Sequence, residues 1–166
     1  MVTMSLVAAC ANKPKTADSA MVQTAEATTA EVAADDLAPD FELPDLQGNL
    51  LKLSSLRGKY VVLDFWGSWC TWCIKGFPKL KEYYAKYKDR LEIVGIDCND
   101  TAEKWAAAVK KHKVPWLHVR SEDGIIEQKF RVTGYPYKVL ISPDGIVLNA
   151  FLGETDDFYK YLDTTL

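Results

Sequence analysis

Four cysteines stand in the 166 residues, at positions 10, 70, 73 and 98, and only Cys70 and Cys73 lie close together. On a helix, residues three apart lie about 4.5 Å apart along the axis and nearly on one face, with Cα atoms near ~5 Å. A disulfide needs roughly 4.4–6.8 Å, so this pair can close and open without moving the backbone. Attack on another disulfide requires a thiolate, and a helix start supplies unpaired N–H groups and partial positive charge. Cys70 follows an apolar run and a Gly67-Ser68-Trp69 turn. The spacing therefore predicts Cys70 at the helix N-terminus as nucleophile, and Cys73, one turn inside, as the shielded thiol that resolves the mixed disulfide. The same pair is half of a zinc site, but Cys98, His112 and His118 form no second tight pair. No metal and no bound cofactor is expected, because thiols carry the electrons.

Elements must place that pair. Tyr60 to Trp66 is almost continuously apolar, as suits a strand buried on both faces. A helix is predicted over about 70–88, then a second apolar strand over 91–97. Thr101 can cap a helix over 101–113, with Trp105, Ala108 and Val109 on one face. A short strand over 115–119 and a short helix over 124–130 follow. Residues 137–142 and 146–152 read as a hairpin closed by Pro143-Asp144-Gly145, and 156–166 as a terminal amphipathic helix. Ahead of these, 41–43 and 50–53 read as strands around a turn at Gln47-Gly48-Asn49. The order predicts an α/β sandwich with a mixed central sheet.

Composition agrees with a globular domain, at 48% hydrophobic and 26% charged residues. The 20 basic and 23 acidic side chains are interspersed and the net charge is -3, which leaves no nucleic-acid footprint. No apolar run approaches the ~20 residues of a membrane span. Leu6-Val7-Ala8-Ala9-Cys10 resembles the lipobox at which bacterial lipoproteins are cleaved and acylated on cysteine. No Lys or Arg precedes it and its apolar stretch is short, so an incidental cysteine is the alternative. Residues 1–10 are read as a signal remnant ending at the lipid-bearing Cys10. Residues 11–37, rich in Ala, Thr, Glu and Asp, are read as a flexible tether spanning roughly 25–30 Å. The domain proper is expected over 38–166.

Asp64-Phe65-Trp66-Gly67-Ser68-Trp69-Cys70-Thr71-Trp72-Cys73 resembles the active-site segment of the thioredoxin superfamily. Ala38-Pro39-Asp40-Phe41-Glu42-Leu43-Pro44 and Leu53-Ser54-Ser55-Leu56-Arg57-Gly58-Lys59 are similar to its extracytoplasmic TlpA/ResA-like branch. Pro78, Val132-Thr133-Gly134-Tyr135-Pro136 and Gly153 also match, so the resemblance runs over about 38–166. It implies a thioredoxin fold: a mixed sheet flanked by helices, with an N-terminal β-hairpin extension and an inserted strand and helix. It implies a thiol–disulfide oxidoreductase acting on extracytoplasmic proteins, read as a protein-disulfide reductase with an oxidase or isomerase of the same fold as the near alternative. A cis Tyr135–Pro136 bond would leave the Tyr135 backbone free to pair with an extended client beside Cys70. Asp64, buried with a raised pKa, would be the general base for Cys73. Trp66 and Trp69 would form an apolar surface, with Trp69, Thr71, Trp72 and Tyr135 meeting the client. The plainer alternatives are a trans proline, a solvated Asp64, and tryptophans that only fill the core. The expected partners are protein thiols and disulfides and a membrane or periplasmic thiol that recharges the pair. Membrane contact is expected through the N-terminal lipid alone, and the protein is expected as a monomer on the periplasmic side of the envelope.

Departures from the pattern bear on the chemistry. Thr71-Trp72 lacks the common proline, leaving a Trp72 N–H that can reach Cys70. Gly95 stands where cytoplasmic thioredoxin has a lysine, so a differently tuned proton relay is expected. Cys98 reads as a buried inert thiol, His112 and His118 as structural, and Tyr83, Tyr84 and Tyr87 as packing. Pro115-Trp116 is a candidate for lining a client surface. Two other functions compete. A peroxiredoxin needs P-x-x-x-[T/S]-x-x-C, whereas Leu63 and Gly67 precede Cys70 at those positions. A pure binding module of a surface lipoprotein has no use for two thiols.

Overall fold

The structure, a computed structural model, describes residues 37–166; Cys10 and the tether read over 11–37 fall outside it, save Leu37. Five strands form the main sheet in the order β5-β4-β3-β6-β7. They are β3 (Tyr60–Trp66), β4 (Leu91–Cys98), β5 (Leu117–Ser121), β6 (Tyr137–Ile141) and β7 (Val147–Leu152). β3 runs parallel to β4, and β4 to β5; β6 is antiparallel to both β3 and β7. The sheet is mixed, with helices on its faces, and the fold is that of thioredoxin.

Side-chain alternation along the strands divides the core in two. Val62, Trp66 and Leu140 pack on one face with Cys70, Cys73, Phe77, Trp105, Val109 and Phe158. That face carries α1 (Thr71–Tyr87), α2 (Ala102–His112) and α4 (Asp156–Thr165). Leu63, Phe65, Val139 and Ile141 pack on the other with Ile126 and Phe130, around the short α3 (Ile125–Lys129). Phe41 and Leu53 of the N-terminal hairpin join this second core. The hairpin itself is β1 (Glu42–Pro44) against β2 (Leu50–Lys52), antiparallel.

Most boundaries shift by a residue or two from the sequence reading, and two of the shifts have a visible cause. The second hairpin strand stops at Lys52, and Leu53–Leu56 form a 3-10 turn. Asp40 explains the stop: its carboxylate accepts the Ser54 backbone N–H at 3.0 Å and the Ser54 hydroxyl at 2.8 Å, pulling the chain out of the ladder. β5 begins at Leu117 rather than 115. Pro115 has no N–H to give a ladder, and Trp116 turns inward against Phe77 and Tyr84. Trp116 is buried, so it fills the core and does not line a client surface.

Candidate active site

β3 ends at Trp66, and Gly67-Ser68-Trp69 carries the chain over the end of the sheet into α1. Asp100 pins this turn, accepting the Ser68 N–H at 2.6 Å and the Ser68 hydroxyl at 2.7 Å. The Trp69 indole N–H donates to the Cys98 carbonyl at 3.0 Å. Gly67 is required here, since a Cβ would overlap the Trp69 indole and sit 3.0 Å from that carbonyl. Cys70 then takes the N-cap position of α1, in extended backbone conformation. Its Sγ accepts the Cys73 backbone N–H at 3.2 Å. The amide that reaches the sulfur is thus that of Cys73 rather than Trp72.

Cys70 and Cys73 form a disulfide with Cα atoms 5.3 Å apart, as the helical spacing predicts. Cys70 keeps 6% of its surface and Cys73 3%, so in the oxidised form the two differ little in accessibility. Trp69 and Trp72 flank the pair, 49% and 64% exposed, and Thr71 between is exposed too. The Trp69 ring meets Tyr135 edge-on at 5.1 Å. The Tyr135–Pro136 bond is cis, and Tyr135 precedes β6, outside the ladder. Trp66 differs from the expectation of a surface residue: it is fully buried, packed against Phe77 and His118. The period of the strand turns it inward, and the turn glycine only afterwards frees Trp69.

Asp64 is buried in the middle of β3, on the face shared by Val62 and Trp66 and hence by α1. Burial raises its pKa, the Glu154 charge adds to this, and Lys138 opposes it. Its register neighbours are Gly95 on β4 and Lys138 on β6. The basic partner that Gly95 cannot supply therefore comes from the opposite side. Lys138 Nζ lies 3.6 Å from Asp64 Oδ1 and donates to Glu154 Oε2 at 2.8 Å. Sequence reasoning missed Lys138 and Glu154. A lysine inside Tyr137-Lys138-Val139-Leu140-Ile141, otherwise a core strand, was the available signal. Glu154 gave none.

Cys98 is fully buried and its thiol pKa is raised by that burial, with the Glu127 charge adding. His118 is buried beside Trp66 and Trp116, and burial lowers its pKa to about 4. His112 packs edge-on against Phe77. These residues serve the core. The peripheral tyrosines do likewise: Tyr83 and Tyr87 both donate to Asp163 of α4, and Tyr84 to Glu92.

A model of the AhpC/TSA family matches residues 34–150. The chain belongs to the AhpC/TSA family. It is similar to the thiol-disulfide oxidoreductase ResA of Bacillus thuringiensis, at 35% identity over 118 residues, 70% of this chain and 68% of that one. The thioredoxin domain of a thiol-disulfide oxidoreductase from Bacteroides vulgatus superposes with a TM-score of 0.72 at 31% identity, covering 80% of this chain and 97% of that one. A secreted Mycobacterium tuberculosis disulfide oxidoreductase gives 0.65 at 26% identity, covering 76% and 96%. With its cysteine pair closed as a disulfide at a helix N-terminus, this AhpC/TSA-family protein is a thiol–disulfide oxidoreductase.

Proposed function

We propose that the protein is a protein-disulfide reductase of the bacterial cell envelope, held to the membrane by a lipid on Cys10. The observation that carries the chemistry is the Cys73 N–H donating to Cys70 Sγ at the N-cap of α1. In the reduced protein that amide and the helix dipole favour a Cys70 thiolate. The thiolate attacks a client disulfide; the client's S–S bond breaks, one client sulfur leaves as thiolate, and a Cys70–client disulfide forms. Asp64 takes the proton of Cys73. The Cys73 sulfur attacks Cys70 Sγ, closes the intramolecular disulfide and releases the second client thiolate. The client gains two electrons and the cysteine pair loses two. A thiol partner of the envelope reopens the pair.

Trp69, Thr71 and Trp72 supply an exposed face on which a client segment can lie, and the Tyr135 backbone, preceding cis Pro136, offers it an edge to pair with. Envelope location is supported by the secreted mycobacterial relative and by the lipobox-like Leu6–Cys10. Among the described residues no helix is long and apolar enough to cross a membrane. The peroxidatic pattern is disfavoured sterically as well as by sequence, since Gly67 occupies its Thr/Ser position and has no room for a side chain.

Insulin reduction by dithiothreitol tests this reading. The wild-type protein should accelerate it and Cys70→Ala should abolish the acceleration. Reduced Cys73→Ala, freed of dithiothreitol before insulin is added, should accumulate a stable mixed disulfide with insulin, visible by mass spectrometry. Acceleration that survives Cys70→Ala rules the assignment out.

A further inference from the structure

Under α1 lies a buried charge cluster that no step above uses in full. Lys138 and Asp64 side chains are each 2% exposed and that of Glu154 17%. Lys138 does not divide itself evenly between its two carboxylates. Its hydrogen bond goes to Glu154 at 2.8 Å, and Asp64 Oδ1, 3.6 Å away, receives no hydrogen bond from any described residue. Glu154 is held in place on its other oxygen by the Tyr159 hydroxyl. Its carboxylate also lies in a notch of α1. A Cβ at Gly76 would overlap the Glu154 carboxyl group, so the helix admits the carboxylate only because residue 76 has no side chain. Gly76 is three residues beyond Cys73 on the same helix.

We propose that Glu154, seated against Gly76, is a positioning residue that keeps Asp64 able to accept a proton by claiming Lys138. The inference rests on the reading of Asp64 as the base for Cys73. Charge counting gives the physical reason. A buried Asp64–Lys138 pair alone would be neutral with Asp64 ionised, and protonating it would strand a buried ammonium. Adding Glu154 makes the cluster net negative by one, and one proton restores neutrality. Burial favours that neutral form. The cluster thus has room for one proton, and Asp64, whose Oδ1 lies beyond hydrogen-bond reach of Lys138, receives it. When Cys73 attacks, its proton passes to Asp64, and the cluster passes from one net negative charge to none.

The groups facing Asp64 fix the signs. They are Lys138 from β6, Glu154 from the turn before α4 and Tyr159 from α4, joined in the proposed mechanism by the resolving thiol of α1. Lys79 of α1 lies further out, over the Tyr159 ring at 4.2 Å, and β4 contributes only Gly95. Glu154→Gln leaves Lys138 to Asp64 and should lower the Asp64 pKa. Lys138→Gln leaves two carboxylates without a cation and should raise it. Gly76→Ala adds no charge but displaces Glu154, and should act like Glu154→Gln.

Titrating the Asp64 side-chain carboxyl by carbon-13 NMR in the oxidised protein isolates this effect, since the disulfide removes the thiols. A downward shift of about one pH unit, roughly tenfold in proton affinity, is expected for Glu154→Gln and for Gly76→Ala. An upward shift is expected for Lys138→Gln. Unmoved titration in folded Glu154→Gln and Gly76→Ala overturns the inference, and these two remain informative if Lys138→Gln fails to fold. The underlying reading has its own readout. The reduced protein releases two thionitrobenzoate ions from 5,5′-dithiobis(2-nitrobenzoate), the first by Cys70 and the second by Cys73. The ratio of second to first rate should show an acid limb in wild type and lose it in Asp64→Asn. A limb that survives Asp64→Asn refutes Asp64 as the base. NMR shifts that persist beside it would still show Glu154 governing Asp64.

Discussion

Asp97, a buried carboxyl away from the Asp64 cluster, makes stability depend on pH. Asp97 lies opposite Trp66 in the parallel β3–β4 register, fully buried, and neither of its oxygens finds a hydrogen-bond partner among the described residues. Burial raises its pKa from 3.8 to about 8, with neighbouring Asp100 adding and Arg120 opposing. The folded state therefore holds this proton more tightly than the unfolded chain does. Its stabilising contribution is complete below pH 3.8 and is lost as pH climbs toward about 8. Asp97→Asn cannot ionise, so its stability relative to wild type should improve steadily from pH 5 to about 8 and level off above that in urea unfolding. A difference that is flat across this range would show Asp97 to be already ionised in the acid half. Asp97 escaped the sequence reading because aspartate at a strand end is ordinarily solvated. Cys70 and Cys73 were legible because their type and spacing carry chemistry by themselves, whereas Asp64 entered only through the family resemblance. Lys138 and Glu154 acquire meaning only from the β6–β7 hairpin and the notch at Gly76, contacts between residues that nothing local links.

At the scale of elements, Asp40 joins the two ends of the hairpin ahead of the sheet. The Asp40 carboxylate accepts the N–H of Phe41, the N–H of Ser54 and the hydroxyl of Ser54, at 3.1, 3.0 and 2.8 Å. These bonds set Phe41 and Leu53 into the second core. Asp40→Ala should cost about 1–2 kcal/mol of unfolding free energy, the usual loss when hydrogen bonds to a partly exposed carboxylate are removed. Insulin reduction should keep its wild-type rate, because the hairpin packs on the face away from α1. Loss of activity without loss of stability would place the hairpin in the client surface instead. The strands and long helices were readable from period and caps: Thr101 accepts from Lys104 as a capping residue should, and Gly145 turns the β6–β7 hairpin with φ of 88°. The 3-10 turn after Lys52 was not readable, since a bond across fourteen residues creates it.

For the whole molecule, the direction of exchange is a comparison of two folded proteins, one oxidised and one reduced. Their difference in stability measures how far folding shifts the pair's potential, at about 30 mV for each ~1.4 kcal/mol. An oxidant needs its reduced form stabilised, which calls for abundant positive charge or donors around the Cys70 thiolate. Among the described residues a single backbone amide reaches Cys70 Sγ. Under α1 the cluster of Asp64, Lys138 and Glu154 carries one more carboxylate than ammonium whenever Asp64 is ionised, and in that state it opposes negative charge on either sulfur. Both features favour the closed pair. The oxidised protein should therefore resist urea better than the same protein kept reduced with excess dithiothreitol, with the midpoints measured side by side at pH 7. The opposite order would make the protein a donor of disulfides, since the folded chain would then gain stability each time it passed its disulfide to a client.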